Sequence, residues 1–362
     1  MNVLERQFVH GGNIYAEQPA GREWIDFSAN INPLGLSQEI LAAMQQNLSQ
    51  VVHYPDPEGR ELKTAIAAFY DVPVQEIVLG NGAAELLYVY FHMFRPQRVL
   101  LPAPSFSEYE RAALSSGADV AYFPLAAADD FAICWDALLA RLPEIDCVIF
   151  GNPNNPTGTL ITRPMMERCI QAAAAVGTKV IVDESFIEFL PDEQNYTVRS
   201  LTAKYSNLFV LQSLTKFYAI PGLRLGFGLL APEAAKKMEF GKDPWNVNLL
   251  AQKAGVAALQ NEAYQRQSRD FVAREKIFLY DALRQFSTLH VYVPAVNFIF
   301  IDLGKERNST AFTAQMRRQG ILVRDCANYP GLGDTYIRVA VKSRAENEFL
   351  LAAFQQVLER KP

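Results

Sequence analysis

Between about residue 59 and residue 231, short β-branched runs alternate with stretches of helical spacing; the runs are EIVLG, QRVLLP, DVAYFPL, DCVIFGN, TKVIVDES, NLFVLQS and GFGLLA. A short apolar run bounded by turn residues has no polar face to offer water, so it needs cover on both sides. The cover is at hand in the intervening segments GAAELLYVYFHMF, FSEYERAALSSG and RPMMERCIQAAAAVG, which have helical spacing and end near glycine, as a capped helix does. Strands separated by helices return to the same edge of a sheet, so the expected fold is α/β with a largely parallel central sheet. Ligands of such sheets collect where the strands end in loops.

The rest of the chain is organised differently. A long helical pattern runs from Val247 to about Phe286, followed by strand, helix, strand, strand and helix in VNFIFIDL, STAFTAQMRRQG, ILVRDC, YIRVAVK and RAENEFLLAAFQQVLER. That order describes a second, smaller α/β domain. The expected division is an N-terminal segment over 1–50 that joins the small domain and covers the site, a large domain over 51–245, a connecting helical region over 246–286, and a small C-terminal domain over 287–362. Half the residues are apolar, a fifth are charged and the net charge is −5, which excludes a general nucleic-acid or anionic-membrane binder. No apolar run is long enough to cross a bilayer, and MNVLERQFVH lacks the pattern of an export signal, so a cytoplasmic location is expected. The four cysteines (134, 147, 169 and 326) and four histidines fall at neither zinc nor redox spacings, so the cysteines are read as reduced thiols and no metal site is expected.

Several strand-to-loop junctions carry more polar or glycine-rich sequence than a connection requires. LGNGAAE passes from a strand through Gly80 and Gly82 into a helix whose first N–H groups can cradle a phosphate. NPNNPTG follows the strand CVIF and presents Asn155 from a rigid turn. VIVDES puts Asp183 after four apolar residues, where a lone carboxylate is costly without a cationic partner. SLTKFYAIPGLRLG sets Lys216 among hydroxyl and aromatic residues, eight positions before Arg224. A lysine stripped of water loses basicity, and the neutral amine is a nucleophile. Taken singly, these are also an ordinary glycine turn, a tight Asn-Pro turn and a snorkelling lysine. Together they fit pyridoxal 5'-phosphate, which needs an amine for its aldehyde (Lys216), an acid at its ring nitrogen (Asp183), a donor to its phenolic oxygen (Asn155), and phosphate donors (the Gly82–Ala83 helix start, Ser213 and Arg224).

The motif order resembles that of the fold type I, aspartate-aminotransferase-like, pyridoxal-phosphate enzymes over the whole chain. The motifs HGGN at 10–13, DFSANINPLG at 26–35, HYPDP at 53–57, SLTKFYAIPGLRLG and CANYPGL at 326–332 narrow the resemblance to the threonine-phosphate decarboxylase family of cobalamin biosynthesis, with the histidinol-phosphate aminotransferases as nearest relatives in style. The resemblance implies a homodimer with shared active sites, a phosphorylated amino acid as substrate, and Lys216 as the residue that carries the cofactor. It implies decarboxylation of L-threonine O-3-phosphate to (R)-1-amino-2-propanol O-2-phosphate; the alternatives are a histidinol-phosphate aminotransferase and a decarboxylase preferring serine phosphate. A sensor without turnover is less consistent with a chain that has no spare N-terminal DNA-binding module. By the same resemblance Arg324 and Arg338 face the substrate's anionic groups, His10 and Asn32 fold over the substrate, Tyr54 reaches the neighbouring subunit's site, and Phe106 stacks on the cofactor with Tyr109 as competitor. Trp245 and Asn248, in DPWNVN, are placed near the site on the same ground. Two departures stand out: Phe186 replaces a tyrosine that donates to the phenolic oxygen in many aminotransferases, and Ala83 and Ala84 leave the cofactor phosphate to backbone amides, Ser213 and Arg224.

Overall fold

A computed structural model describes residues 10–15 and 23–359, so residues 1–9, 16–22 and 360–362 of the expected terminal segments lie outside the described residues. A two-residue strand, β1 (Ile25–Asp26), comes first. All seven β-branched runs then form strands: β2 (Ile77–Asn81), β3 (Arg98–Ala103), β4 (Asp119–Pro124), β5 (Cys147–Gly151), β6 (Lys179–Asp183), β7 (Leu208–Ser213) and β8 (Leu225–Leu230). They make one sheet in the order β2-β8-β7-β6-β5-β3-β4. Four neighbouring pairs are parallel, as helical crossovers require, while β8 runs antiparallel to both β2 and β7.

Successive side chains of the central strands feed opposite layers, which is why these runs are apolar through their middles and polar only towards their ends, as at Lys179 and Asp183 of β6 and Gln212 and Ser213 of β7. On β7, Leu208 and Val210 join one apolar cluster, and Phe209 and Leu211 join the other; Val180, Ile181 and Val182 of β6 alternate in the same way. The helix Ala83–Phe94 buries Leu86, Leu87, Tyr90 and Phe91 on one side, and the helix Arg163–Ala175 buries Met166, Cys169, Ile170 and Ala173 on the other.

A second sheet has the order β12-β13-β10-β9, built from β9 (His290–Val291), β10 (Phe298–Asp302), β12 (Arg324–Asp325) and β13 (Tyr336–Ala340); β11 (Ile321–Leu322) lies between β10 and β12 in sequence. ILVRDC, read as one strand, is therefore two: β11 pairs in parallel with β1, and β12 pairs with β13. The N-terminal segment thus adds a strand to the C-terminal part, which shorter apolar patterning around Ile25 did not reveal. The helical pattern from Val247 also divides, into Leu249–Gln260 and Glu262–Leu283, because Asn261 leaves helical geometry and its side chain caps the second helix by accepting from the Tyr264 N–H. Glycine follows the helices that end at Ser115 and Ala175 (Gly117, φ 83°; Gly177, φ 80°), but Ala83–Phe94 ends on Arg95 in the left-handed region, its N–H bonded to the Phe91 carbonyl.

Gly226 shows how tightly β8 is fitted. A Cβ there would lie 2.5 Å from the Ala83 nitrogen and 2.8 Å from the Gln212 carbonyl oxygen, both backbone atoms that cannot step aside. Gly226→Ala is expected to lower the stability of the cofactor-free protein by about 1–3 kcal/mol, the usual range for overpacking, read by denaturant unfolding. An unchanged midpoint would show that β8 shifts freely against the helix start.

Candidate active site

The carboxyl ends of β5, β6 and β7 meet the amino end of the reversed β8 at one edge of the large sheet. A cavity of about 450 Å³ opens there, walled on the other side by Arg324, Tyr329 and Arg338 of the C-terminal part. Lys216 stands in the helix Leu214–Phe217, immediately after β7. Burial lowers its pKa to about 8, assisted by the Arg224 and Arg338 guanidiniums and opposed by Asp183. Asp183 is the last residue of β6, beside Leu211 of β7 and Gly151 of β5. Its Oδ1 accepts from Ser185 N (2.9 Å) and Ser185 Oγ (2.5 Å), and its Oδ2 accepts from the Tyr109 hydroxyl at 2.8 Å. Burial raises the Asp183 pKa, and the Ser185 and Tyr109 bonds and the Lys216 charge act against that rise.

At the opposite end of the cavity floor, Gly82 (φ 80°) precedes the helix Ala83–Phe94, and a Cβ on it would meet Arg224 Nη2 at 2.2 Å. Arg224 itself holds a left-handed backbone (φ 58°), a conformation a non-glycine residue adopts at a cost of order 1 kcal/mol and most often near functional sites. Ser213 and Thr215 share a hydrogen bond of 2.8 Å between their hydroxyls and also line the cavity. Asn155 accepts on Oδ1 from Arg338 Nη1 and, at 3.4 Å, from the Tyr329 hydroxyl, so the donor end of its amide is the one available to a cavity ligand. Phe106 and Phe186 both face the cavity. Tyr109 lies edge-on to Phe106 with its hydroxyl on Asp183, which makes it a partner of the acid.

The two arginines of the four-stranded C-terminal sheet are the most unusual feature. Arg324 of β12 and Arg338 of β13 are register partners, both buried. Arg324 donates to Asn328 Oδ1 (2.8 Å), and Arg338 donates to the Ser28 carbonyl (2.7 Å) and to Asn155; neither forms an ion pair among the described residues. Like charges set directly across a sheet repel, and burial adds a desolvation penalty that lowers the Arg338 pKa. An anion between them relieves both.

The structure brings together Ala83, Phe106, Asn155, Asp183, Ser213, Lys216, Arg224, Arg324, Arg338 and His10 at this cavity, with Gly82 just behind Arg224. Asn32 is a correction. Its amide donates to the Phe217 carbonyl (2.7 Å) and Ser268 Oγ (2.8 Å), its Oδ1 accepts from Leu34 N, and its own N–H bonds to the Lys216 carbonyl, so it braces the lysine helix from behind and does not reach a substrate. Tyr54 does not line this cavity either; it is exposed and stacks on Trp245 with ring centroids 4.6 Å apart. Trp245 and Asn248 lie outside the cavity as well, Asn248 capping the helix Leu249–Gln260. Sequence reasoning passed over the Ser28–Ile31 strip, Glu108, Arg111, Ser185 and Tyr329, all of them in the wall. Tyr329 carried a signal from its place in CANYPGL, Ser28–Ile31 from theirs in DFSANINPLG and Ser185 from VIVDES, whereas Glu108 and Arg111 had none.

The class I and II aminotransferase family matches residues 22–354. The chain belongs to that family. It is 38% identical over 356 residues to a threonine-phosphate decarboxylase of Salmonella typhimurium, covering 96% of each chain. Among solved structures, it is similar to the histidinol-phosphate aminotransferase of Clostridium acetobutylicum (TM-score 0.86, 30% identity, 91% of this chain and 98% of that one). It is also similar to the L-threonine-O-3-phosphate decarboxylase of Porphyromonas gingivalis (TM-score 0.82, 25% identity, 92% and 99%). Class I and II aminotransferases use pyridoxal 5'-phosphate, and the geometry fits that group: a buried amine of lowered pKa, a buried carboxylate held by three donors, and a helix start with a guanidinium set directly against it.

The Lys216 pKa makes a testable demand. The neutral fraction of the amine grows as pH rises through about 8 and is complete above it. The rate of pyridoxal phosphate uptake by cofactor-free protein, followed by absorbance, should therefore climb between pH 6.5 and 8 and level off above about pH 9. A rate still climbing steeply at pH 10 would mean that the amine is as basic as a solvated lysine.

Proposed function

We propose that this family member is a pyridoxal-phosphate-dependent carboxy-lyase that converts L-threonine O-3-phosphate to (R)-1-amino-2-propanol O-2-phosphate and CO2 in cobalamin biosynthesis. The observation that carries the reading is the buried, unpaired Arg324–Arg338 couple, which suits a substrate with two anionic groups. The full-length likeness to the Salmonella decarboxylase supports the choice of reaction.

In this reading Lys216 carries the cofactor, Asp183 faces its ring nitrogen, Asn155 donates to its phenolic oxygen, and Phe106 lies against its ring. The Gly82–Ala83 helix start, Ser213 and Arg224 hold its phosphate. When bound, pyridoxal phosphate supplies an electron sink for the bonding pair that the departing CO2 leaves at Cα. The chain's own task is orientation, because the bond that breaks is set by how the substrate is held about Cα. Arg324 and Arg338, with His10, would hold the phosphate side and so leave the carboxylate as the group placed to depart. Lys216, as its ammonium form, would return a proton to Cα. Phe106 and Phe186 exclude water from the reacting side.

Replacing Arg324 or Arg338 by alanine should raise the KM for threonine phosphate at least tenfold and let slow transamination appear, because a loosened substrate can turn so that its Cα–H bond breaks instead. The measurement is CO2 release beside pyridoxamine-phosphate formation, wild type against each variant, with serine phosphate assayed in parallel. A wild-type enzyme that consumes histidinol phosphate with 2-oxoglutarate and releases no CO2 from threonine phosphate would put the aminotransferase in place of the decarboxylase.

The reading extends to a cytoplasmic homodimer in which Tyr54 of each subunit serves the other's site. Its support is the exposed run of Leu48, Val51, Val52 and Tyr54, with Tyr54 stacked on half-exposed Trp245, an apolar strip outside its own cavity. The four cysteines are unpaired, as in a reducing compartment. Mixing a Lys216→Ala chain with a Tyr54→Phe chain should restore up to about one quarter of the activity, since half of the dimers at random mixing are mixed and each has one complete site. No recovery in demonstrated heterodimers, with each parent inactive, would count against a shared site.

A further inference from the structure

Glu108 and Asp183 are the two acids that line the cavity. A carboxylate in a wall otherwise set for anions opposes ligand binding unless its charge is used. Glu108 is buried, its Oε1 lies 2.8 Å from His10 Nε2 and 3.5 Å from Arg111 Nη1, and its Oε2 accepts from the Tyr88 hydroxyl at 2.7 Å. Burial pushes the Glu108 pKa up, but the bonds from His10 and Tyr88 outweigh it and hold the group below the usual carboxylate range, so it is ionised. An ionised oxygen only accepts, which puts the proton of the contact on Nε2.

With Nε2 spent on Glu108, Nδ1 is the one ring nitrogen His10 has for a ligand. In the neutral ring Nδ1 is an acceptor and repels a phosphate oxygen. A proton taken from solvent makes it a donor, and the carboxylate on the far side of the ring stabilises the cation that results. The ring is held in place by Phe106, tilted against it at 5.8 Å, and its segment by the Gly12 N–H bond to Ser28 Oγ at 2.8 Å. The charged and titratable groups around the ring are Glu108 and Arg111 on the helix Ser107–Ser115, Tyr88 on Ala83–Phe94, Asp26 behind Ser28, and Arg324 and Arg338 in the same cavity wall, Arg338 on the Ser28 carbonyl beside Gly11.

We propose that Glu108 is a positioning residue for the substrate's phosphate, fixing His10 as a two-donor cation that joins Arg324 and Arg338 in holding the phosphate. The inference rests on the reading that the phosphate is bound by His10 and those arginines.

The test uses holoenzyme and two probes, inorganic phosphate by calorimetry and threonine phosphate by CO2 release, on wild type, Glu108→Gln, His10→Asn and the double variant. Each single change should raise the phosphate Kd, and the KM more than kcat, by about tenfold, the loss of one charge-assisted hydrogen bond. The double variant should be no worse than His10→Asn alone, because Glu108 acts through the ring; a group that merely supports the fold adds its own loss. Glu108→Asp should recover part of the affinity. If Glu108→Gln does not fold, Glu108→Asp in the wild-type and His10→Asn backgrounds decides by the same comparison. Phosphate affinity unchanged by Glu108→Gln, or losses that add in the double variant, would overturn the proposal. If wild type releases no CO2 from threonine phosphate while the phosphate affinities follow this pattern, the substrate reading falls and the role of Glu108 stands.

Discussion

The reversal of β8 is the constraint on which the site depends. Parallel strands deliver only their carboxyl ends to one edge, so β5, β6 and β7 alone would supply Asn155, Asp183 and Lys216 with no cation behind them. Because β8 runs antiparallel between β2 and β7, its amino end comes to that same edge, with Asn81 opposite Leu225 and Ser213 opposite Gly226. Arg224, the residue before β8, is thereby set against the helix start at Gly82. The left-handed turn at Arg224 and the absence of a side chain at Gly226 are the local conditions of that approach.

The cavity that results carries an excess of positive charge. Lys216, Arg224, Arg324, Arg338 and Arg111 line it with only Asp183 and Glu108 as counter-charges. In water such a cluster is screened, but here burial raises the cost, which is visible in the lowered pKa of Lys216 and Arg338. A cofactor phosphate and the doubly anionic substrate proposed above would match the excess. A cavity of the same shape with fewer cations would cost less to fold, and functional sites commonly carry such a cost.

The large sheet was legible because each strand is a separate apolar run and each helix has its own period; nothing in its core needs information from elsewhere in the chain. The residues proposed to hold the cofactor stood out because they sit at the ends of those same strands. What stayed hidden depends on contacts across long separations. Asn32 lies in a motif that reads as substrate-facing, yet its amide is taken by Phe217 and Ser268, more than 180 residues away. Glu108 follows a serine-phenylalanine-serine turn with nothing to mark it, and its meaning comes only from His10 and Tyr88 meeting it in space. The break at Asn261 was hidden for the opposite reason, because a capping residue between two good helices leaves the apolar period almost undisturbed.

Beneath the cavity a second polar layer keeps the edge rigid. Glu184 follows Asp183 and lies with its side chain away from the cavity, accepting from Thr197 Oγ1 (2.8 Å), Val198 N (2.7 Å) and Gln212 Nε2 (2.9 Å). Burial lifts its pKa to about 7. Asp183 is thus anchored on two sides: through its own oxygens to Ser185 and Tyr109, and through the next residue to β7 and the loop at 197–198. In the role proposed for it, Asp183 has to stay ionised in a place where burial favours the neutral form. Three donors on its two oxygens supply part of what water would have given, and a cationic ring nitrogen would supply the rest. A carboxylate free to rotate would lose the first contribution each time it sought the second, which is why the rigidity of the layer below belongs to the chemistry above.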